Sequence, residues 1–180
     1  MSSGDWKDLY KAKLCTAEEA ARSVRSGDRI MNPLCLGQPT NLIMDAIADR
    51  KDELRDCEFN ALLTLRPYKI FKPEYRETFK LNFSFYGTPV LIPFAKSEWA
   101  NFVPMQSSDA ALRYSHRQRL RKRRTGIIMQ VAPPDEHGFV NMGLDAFYTE
   151  SIMDSSDWVI AEVNPKMPRT HGQTNLHVSR

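Results

Sequence analysis

The chain has 180 residues, 42% hydrophobic and 26% charged, with only 8 glycines and 11 prolines; this excludes collagen-like, low-complexity and disordered classes and suits one domain of ordinary size. The formal charge is +3, but seven cations (Arg113, Arg117, Arg119, Arg121, Lys122, Arg123 and Arg124) share one acid-free stretch, leaving the rest of the chain mildly acidic. No run reaches the roughly 20 apolar residues of a membrane span, and the first residues lack a signal-peptide pattern, so a cytoplasmic protein with no membrane partner is expected.

Thr16-Ala17-Glu18-Glu19 has the form of a capping box, and Gly27 follows where a helix end favours positive φ, which predicts a helix over about 16–26. Arg29-Ile30-Met31 reads as a short buried strand, and 32–39 as the loop leaving it. From Pro39 or Thr40 onward, Leu42, Ile43, Ala46 and Ile47 recur at helical spacing and predict a second helix. Strands are predicted over 59–65, 82–86, 102–105, 126–132 and 158–163, each rich in aromatic or branched residues and bounded by Pro, Gly or Asp. Residues 108–120 read as a helix with a serine cap, an acid in its first turn and cations in its last. Residues 133–138 form a turn, 139–142 a returning strand, and about 145–154 a further helix. This alternation predicts an α/β fold with an open, largely parallel sheet and helices on both faces, in one domain. Ligands of such sheets gather at loops beyond the carboxyl ends of strands, and 32–39, 133–138 and 164–172 qualify.

The standard signatures of nucleotide hydrolases, serine hydrolases and zinc proteases are absent. Cys15, Cys35 and Cys57 form no Cys-x-x-Cys pair and read as reduced thiols, Cys57 in the core and Cys35 in a loop. No metal site is expected. Asp135-Glu136-His137 places three ionisable groups on a turn, suited either to acid–base work or to tying down turn backbone. Asn164, Lys166, Arg169 and His171 stand between prolines and are donors suited to phosphate or carboxylate, or to a plain surface loop. The turn Gly37-Gln38-Pro39 before a helix could offer free backbone N–H groups to an anion, or simply connect strand to helix. The basic stretch is either a solvated helix end or a surface for a phosphate-bearing ligand. It lacks the interleaved aromatics and motif of a nucleic-acid binder, so no nucleic-acid partner is expected. His116 and His177 read as surface residues.

Taken in order, Asp5-Trp-Lys-Asp-Leu-Tyr10, Ser26-Gly-Asp-Arg29, Gly37-Gln-Pro39, Pro133-Pro-Asp-Glu-His-Gly138, Ala161-Glu-Val-Asn164 and Met167-Pro-Arg169 resemble the amino-terminal domain of the acetyl-CoA hydrolase/transferase family, and within it the 4-hydroxybutyrate CoA-transferases. The resemblance implies two α/β halves with an acyl-CoA cleft between them, and a complete enzyme that is a homo-oligomer. Coenzyme A would be a substrate and not a permanently bound cofactor. A small carboxylate such as acetate would be the co-substrate, and the acyl group 4-hydroxybutyryl, butyryl or acetyl. The resemblance further implies a glutamate in the carboxyl-terminal half that attacks the thioester and passes through an anhydride to a glutamyl-CoA intermediate.

On that reading the chain is the noncatalytic half, inactive alone, and its partner is the missing half or a separate catalytic subunit. No catalytic residue is assigned, Glu136 and Glu162 included. Gly37, Gln38, Pro39, Pro134, Asp135, His137, Gly138, Asn164, Met167 and Arg169 are the candidates for the cleft wall. Asn32-Pro33-Leu34-Cys35 departs from the small residues and histidine that relatives carry before their Gly-x-Pro, which bears on substrate contacts from that loop. The alternatives are an acyl-CoA hydrolase of the same family, in which water resolves the intermediate, and a non-catalytic binding or assembly subunit.

Overall fold

In the computed structural model, which describes residues 5–112 and 123–180, six strands form one parallel sheet. They are β1 (Arg29–Met31), β2 (Cys57–Ala61), β3 (Phe79–Phe83), β4 (Ala100–Phe102), β5 (Thr125–Val131) and β7 (Trp158–Val163), in the order β4-β3-β2-β1-β5-β7. Two short strands, β6 (Phe139–Asn141) and β8 (Asn175–His177), pair antiparallel beside it. The helices are α1 (Asp5–Lys13), α2 (Ala17–Ala21), α3 (Asn41–Ala48) and α4 (Thr149–Asp154).

Strand alternation sends side chains into two separate cores. Ile30, Phe59, Leu81, Ile128 and Ile160 join Ile43, Met44 and Ile47 of α3 and Ala21 of α2 on one face. Met31, Ile127, Met129 and Val131 meet Ile152 and Met153 of α4 on the other, with Trp6, Leu9 and Tyr10 of α1 packed against them. Every residue of β5 is buried, as expected of a parallel strand covered on both sides. The predicted α/β sheet with helices on both faces is what forms.

Several boundaries differ from the sequence expectation, for identifiable reasons. The capping box is present: the Thr16 hydroxyl accepts the Glu19 N–H at 3.2 Å and the Thr16 N–H donates to Glu19 Oε2 at 2.9 Å. The helix it opens stops at Ala21, because the Asp28 carboxylate takes the Arg25 N–H at 2.9 Å and builds a turn there; Gly27, at φ +82°, lies within that turn. Likewise Asp145 accepts the Phe147 N–H at 3.0 Å, and this side-chain turn delays α4 to Thr149. Strands β2 and β3 begin earlier than predicted because Cys57 and Phe79 already face inward, while polar Glu58 and Lys80 between the apolar positions mask the alternation. Helix α1 and strand β8 were not anticipated. Of the helix read over 108–120, Ala110 to Leu112 are helical and 113–122, with His116, lie outside the described residues.

Candidate functional site

Strand order reverses between β1 and β5, since the chain runs outward to β4 on one side and to β7 on the other. All six strands being parallel, the loops after β1, β5 and β7 leave from one edge of the sheet, around this switch point. A crevice at such a reversal is where open α/β sheets place ligands.

A line of side-chain amides ties the loops after β1 and β7 together across strand β5. Gln38 is fully buried; its Nε2 donates to the carbonyls of Pro33 at 2.9 Å and Leu63 at 2.8 Å, and its Oε1 accepts from the Thr64 hydroxyl at 2.6 Å. Gln130, the one polar side chain among five residues that are otherwise Ile, Ile, Met and Val, donates to the Gln38 carbonyl and accepts from Asn164 Nδ2 at 2.8 Å. Asn164 holds its own loop through a 2.9 Å bond from the Lys166 N–H. The Pro39 carbonyl accepts from the Tyr68 hydroxyl at 2.7 Å, and burial pushes that phenol beyond its ordinary range. Gly37 has no room for a side chain: a Cβ there would lie 2.6 Å from Cβ of Asp145.

The N–H groups of Gly37, Gln38, Thr40 and Leu42 are taken within the chain and are not free for an anion. Gly37 donates to Leu34 O at 3.2 Å, Gln38 to Cys35 O at 3.4 Å, and Leu42 to the Thr40 hydroxyl at 3.2 Å. The Thr40 N–H donates to the Glu162 carboxylate at 3.0 Å, so an internal acid already occupies the amino end of α3.

The second group of candidates forms its own knot. Asp135 Oδ1 accepts the N–H groups of His137 and Phe139, each at 2.9 Å, while Oδ2 pairs with Arg169 at 2.9 Å. Partial burial opposes the charge, but these N–H groups and the guanidinium outweigh it and hold the carboxyl below its ordinary range. Arg169 also donates to the carbonyls of Pro133 at 2.9 Å and Phe139 at 3.1 Å, so its guanidinium binds the turn to the 164–172 loop. Met167 is buried against Gly143, where a Cβ would meet its sulfur at 2.4 Å. Gly138, at φ +84°, leaves space for the Trp6 ring of α1. Pro134 is half-buried in the turn, and His137 projects into solvent next to Glu136. Gly37, Gln38, Pro39 and Asn164 are thus joined around the switch point, and Pro134, Asp135, Gly138, Met167 and Arg169 beside them. Gln130 and Asp145 were missed by sequence reasoning; a lone glutamine inside an apolar strand was the available signal for the first.

Arg123 and Arg124, the described part of the basic stretch, lie at the opposite, amino edge of the sheet. Arg123 pairs with Asp56 at 2.7 Å and Glu58 at 3.5 Å, and Glu58 also pairs with Arg29 at 2.8 Å. Arg124 pairs with the buried Asp28 and lies over the Trp158 ring. Replacing Arg123 with Ala is therefore expected to cost about 1 kcal/mol of stability and to leave binding of acetyl-CoA, followed by calorimetry, unchanged; a large loss of affinity would return this arginine to the ligand site. Among the described residues no three His, Cys, Asp or Glu side chains lie close enough to hold a metal ion, and no helix is long and apolar enough to cross a membrane.

Residues 2–180 match the acetyl-CoA hydrolase/transferase N-terminal domain. The chain is 32% identical over 174 residues to succinyl-CoA:cyclohexane-1-carboxylate CoA transferase of Geobacter metallireducens, covering 94% of this chain and 37% of that one. It is 28% identical over 178 residues to 4-hydroxybutyrate coenzyme A transferase of Clostridium kluyveri, covering 97% and 40%. The crystal structure of RipA from Yersinia pestis superposes with a TM-score of 0.82 at 26% identity, over 97% of this chain and 42% of that one. The chain thus spans about two fifths of the length of these relatives.

Proposed function

Because the chain belongs to the acetyl-CoA hydrolase/transferase family, as its amino-terminal domain, we propose that it forms one wall of an acyl-CoA cleft in a CoA-transferase moving CoA from an acyl-CoA to a small carboxylate such as acetate. The observation that carries this reading is the convergence of the loops after β1, β5 and β7 at the strand-order reversal, on a chain matched by the family along nearly its whole length. Asn32, at the end of β1, supports it: the residue is fully buried, and neither polar atom of its side chain has a hydrogen-bond partner among the described residues. Native proteins leave few such amides unsatisfied, and an amide can serve a ligand both as donor and as acceptor.

The nucleophilic glutamate of the reaction, with its glutamyl-CoA intermediate, is assigned to a carboxyl-terminal half, in the same polypeptide or on another subunit. Two observations support that partner. The relatives extend well beyond the matched region, and Leu36, Leu65, Phe85, Phe102, Leu144 and Phe147, in the loops and strand ends near the carboxyl edge of the sheet, are exposed. Apolar residues gathered in this way mark interaction surfaces.

The contribution of this half is then positional. The amide line sets the spacing of the loops after β1 and β7 across strand β5, and the Asp135–Arg169 pair fixes the turn after β5 against the loop after β7. The test is a transfer assay on the complete enzyme with acetyl-CoA or butyryl-CoA as donor. CoA transfer that requires the acceptor carboxylate is expected, with no turnover by the 180-residue chain alone. CoA release that proceeds equally without acetate would replace transfer by hydrolysis.

A further inference from the structure

Asp145 lies under the loop that follows β1. It is 6% exposed; its Oδ1 accepts the Phe147 N–H at 3.0 Å, whereas Oδ2 has no hydrogen-bond partner among the described residues. Gly37 closes over it, since a Cβ there would stand 2.6 Å from Cβ of Asp145 and 3.2 Å from Oδ2. Cys35, in the same loop, is held at φ +43°, a left-handed conformation that a side chain tolerates only where its surroundings enforce it. The loop therefore sits against a buried acid in a conformation it would not adopt by itself.

We propose that Asp145 is a positioning residue for the loop 34–37, holding it closed as a neutral acid and loosening it as a carboxylate. Its functional meaning rests on the reading that this loop borders the CoA cleft. Burial pushes the Asp145 carboxyl up to about 6, against the opposing pull of the Phe147 and Leu34 N–H groups. Facing it from the loop is the Cys35 thiol, which burial and then the Asp145 charge raise above its ordinary value, so it stays neutral over the same range. From the α4 side the Tyr148 hydroxyl is directed to the Asn32 carbonyl at 2.8 Å. Ionisation in the closed state leaves a buried carboxylate whose Phe147 and Leu34 N–H groups do not offset the loss of water, Oδ2 least of all, and opening the loop lets water solvate it.

The sign follows from proton linkage. The closed loop binds the proton more tightly than the open one, so the open fraction rises roughly tenfold per pH unit between the ordinary carboxylate range and about pH 6, then levels off. Hydrogen exchange on the 180-residue chain, read at the Gly37 and Gln38 amides that bond Leu34 O and Cys35 O, tests this. Protection, corrected for the intrinsic pH dependence of exchange, is expected to fall roughly tenfold from about pH 5 to about pH 7 and to be pH-independent in Asp145→Asn. Asp145→Ser, whose hydroxyl can still accept the Phe147 N–H, serves if the asparagine variant does not fold. Wild-type protection that is flat over this range, or that changes equally in the variants, overturns the proposal. A parallel acetyl-CoA titration of the complete enzyme separates the two readings: an exchange break without binding there refutes the CoA cleft and keeps the role of Asp145 in the loop, and binding without the break refutes Asp145 alone.

Discussion

Replacing Gln38 with Leu is expected to destabilise the chain by about 3 kcal/mol, measured by urea unfolding, because it strands buried polar groups at roughly 1–3 kcal/mol each. The side chain fits by size, so no large cavity forms. What is lost is the pairing of the Pro33 carbonyl and the Thr64 hydroxyl, both of which face Gln38; the Leu63 carbonyl keeps its 3.3 Å bond from the Cys35 N–H. The amide is thus a brace for the crevice and not a group turned toward a ligand. Thr64→Val should cost less in the Gln38→Leu background, where the hydroxyl has lost the amide it donates to but still accepts the Arg66 N–H at 3.4 Å, and the double-mutant coupling is expected to be about 1 kcal/mol. A Gln38→Leu chain that keeps wild-type stability but loses acetyl-CoA affinity would show the reverse assignment, a direct ligand contact.

Gly126→Ala should be as damaging, at about 3 kcal/mol, or a fall of the thermal midpoint of roughly 10 °C. A methyl group at Gly126 would lie 1.9 Å from Cδ2 and 2.0 Å from Cε2 of Trp158. The indole cannot step aside cheaply: its Nε1 donates to the buried Asp28 at 3.2 Å and Arg124 lies over its ring. Burial raises the Asp28 carboxyl, while the Arg25 N–H, Arg124 and Trp158 oppose that rise, so shifting the ring would also weaken support for a buried acid. Trp158→Leu in the Gly126→Ala background should recover part of the loss; a single mutant with an unchanged midpoint would mean that β5 and β7 can separate there without penalty.

Much of the scaffold was legible in the residues themselves. Arg29–Met31 and Trp158–Val163 were read with the bounds they have, because both are dense in apolar residues and end at Asp, Asn or Gly signals. The capping box at Thr16 was legible because its chemistry is local. Errors came from short-range carboxylate turns that hydrophobic periodicity does not signal, Asp28 cutting short α2 and Asp145 delaying α4, and from a distant partner at α1, whose apolar positions at Trp6, Leu9 and Tyr10 gain meaning only against the second core. The candidate loops were found from strand–turn logic and the family resemblance. Their internal wiring was not, because nothing in the sequence near Gln38 announces Gln130 or Asn164, nor does Arg169 announce that its partner is Asp135. Arg123 and Arg124 show the opposite case, a charge run conspicuous in sequence whose described members are consumed in ion pairs at the far edge of the sheet.

The position of β1 also bears on the order in which the molecule assembles. Its pairing with β2, and that of β2 with β3, joins neighbouring parts of the chain, so the β1-to-β4 side can form early. The seam between β1 and β5 is different: Arg29 meets Thr125 only after the whole intervening segment has been threaded past, and closure of so long a loop is slow. The crevice is therefore a late product of folding. Synthesis from the amino terminus delays it further, because β5 and β7 emerge after the other four strands of the sheet, and a nascent chain would expose the unpaired flank of β1 until they arrive.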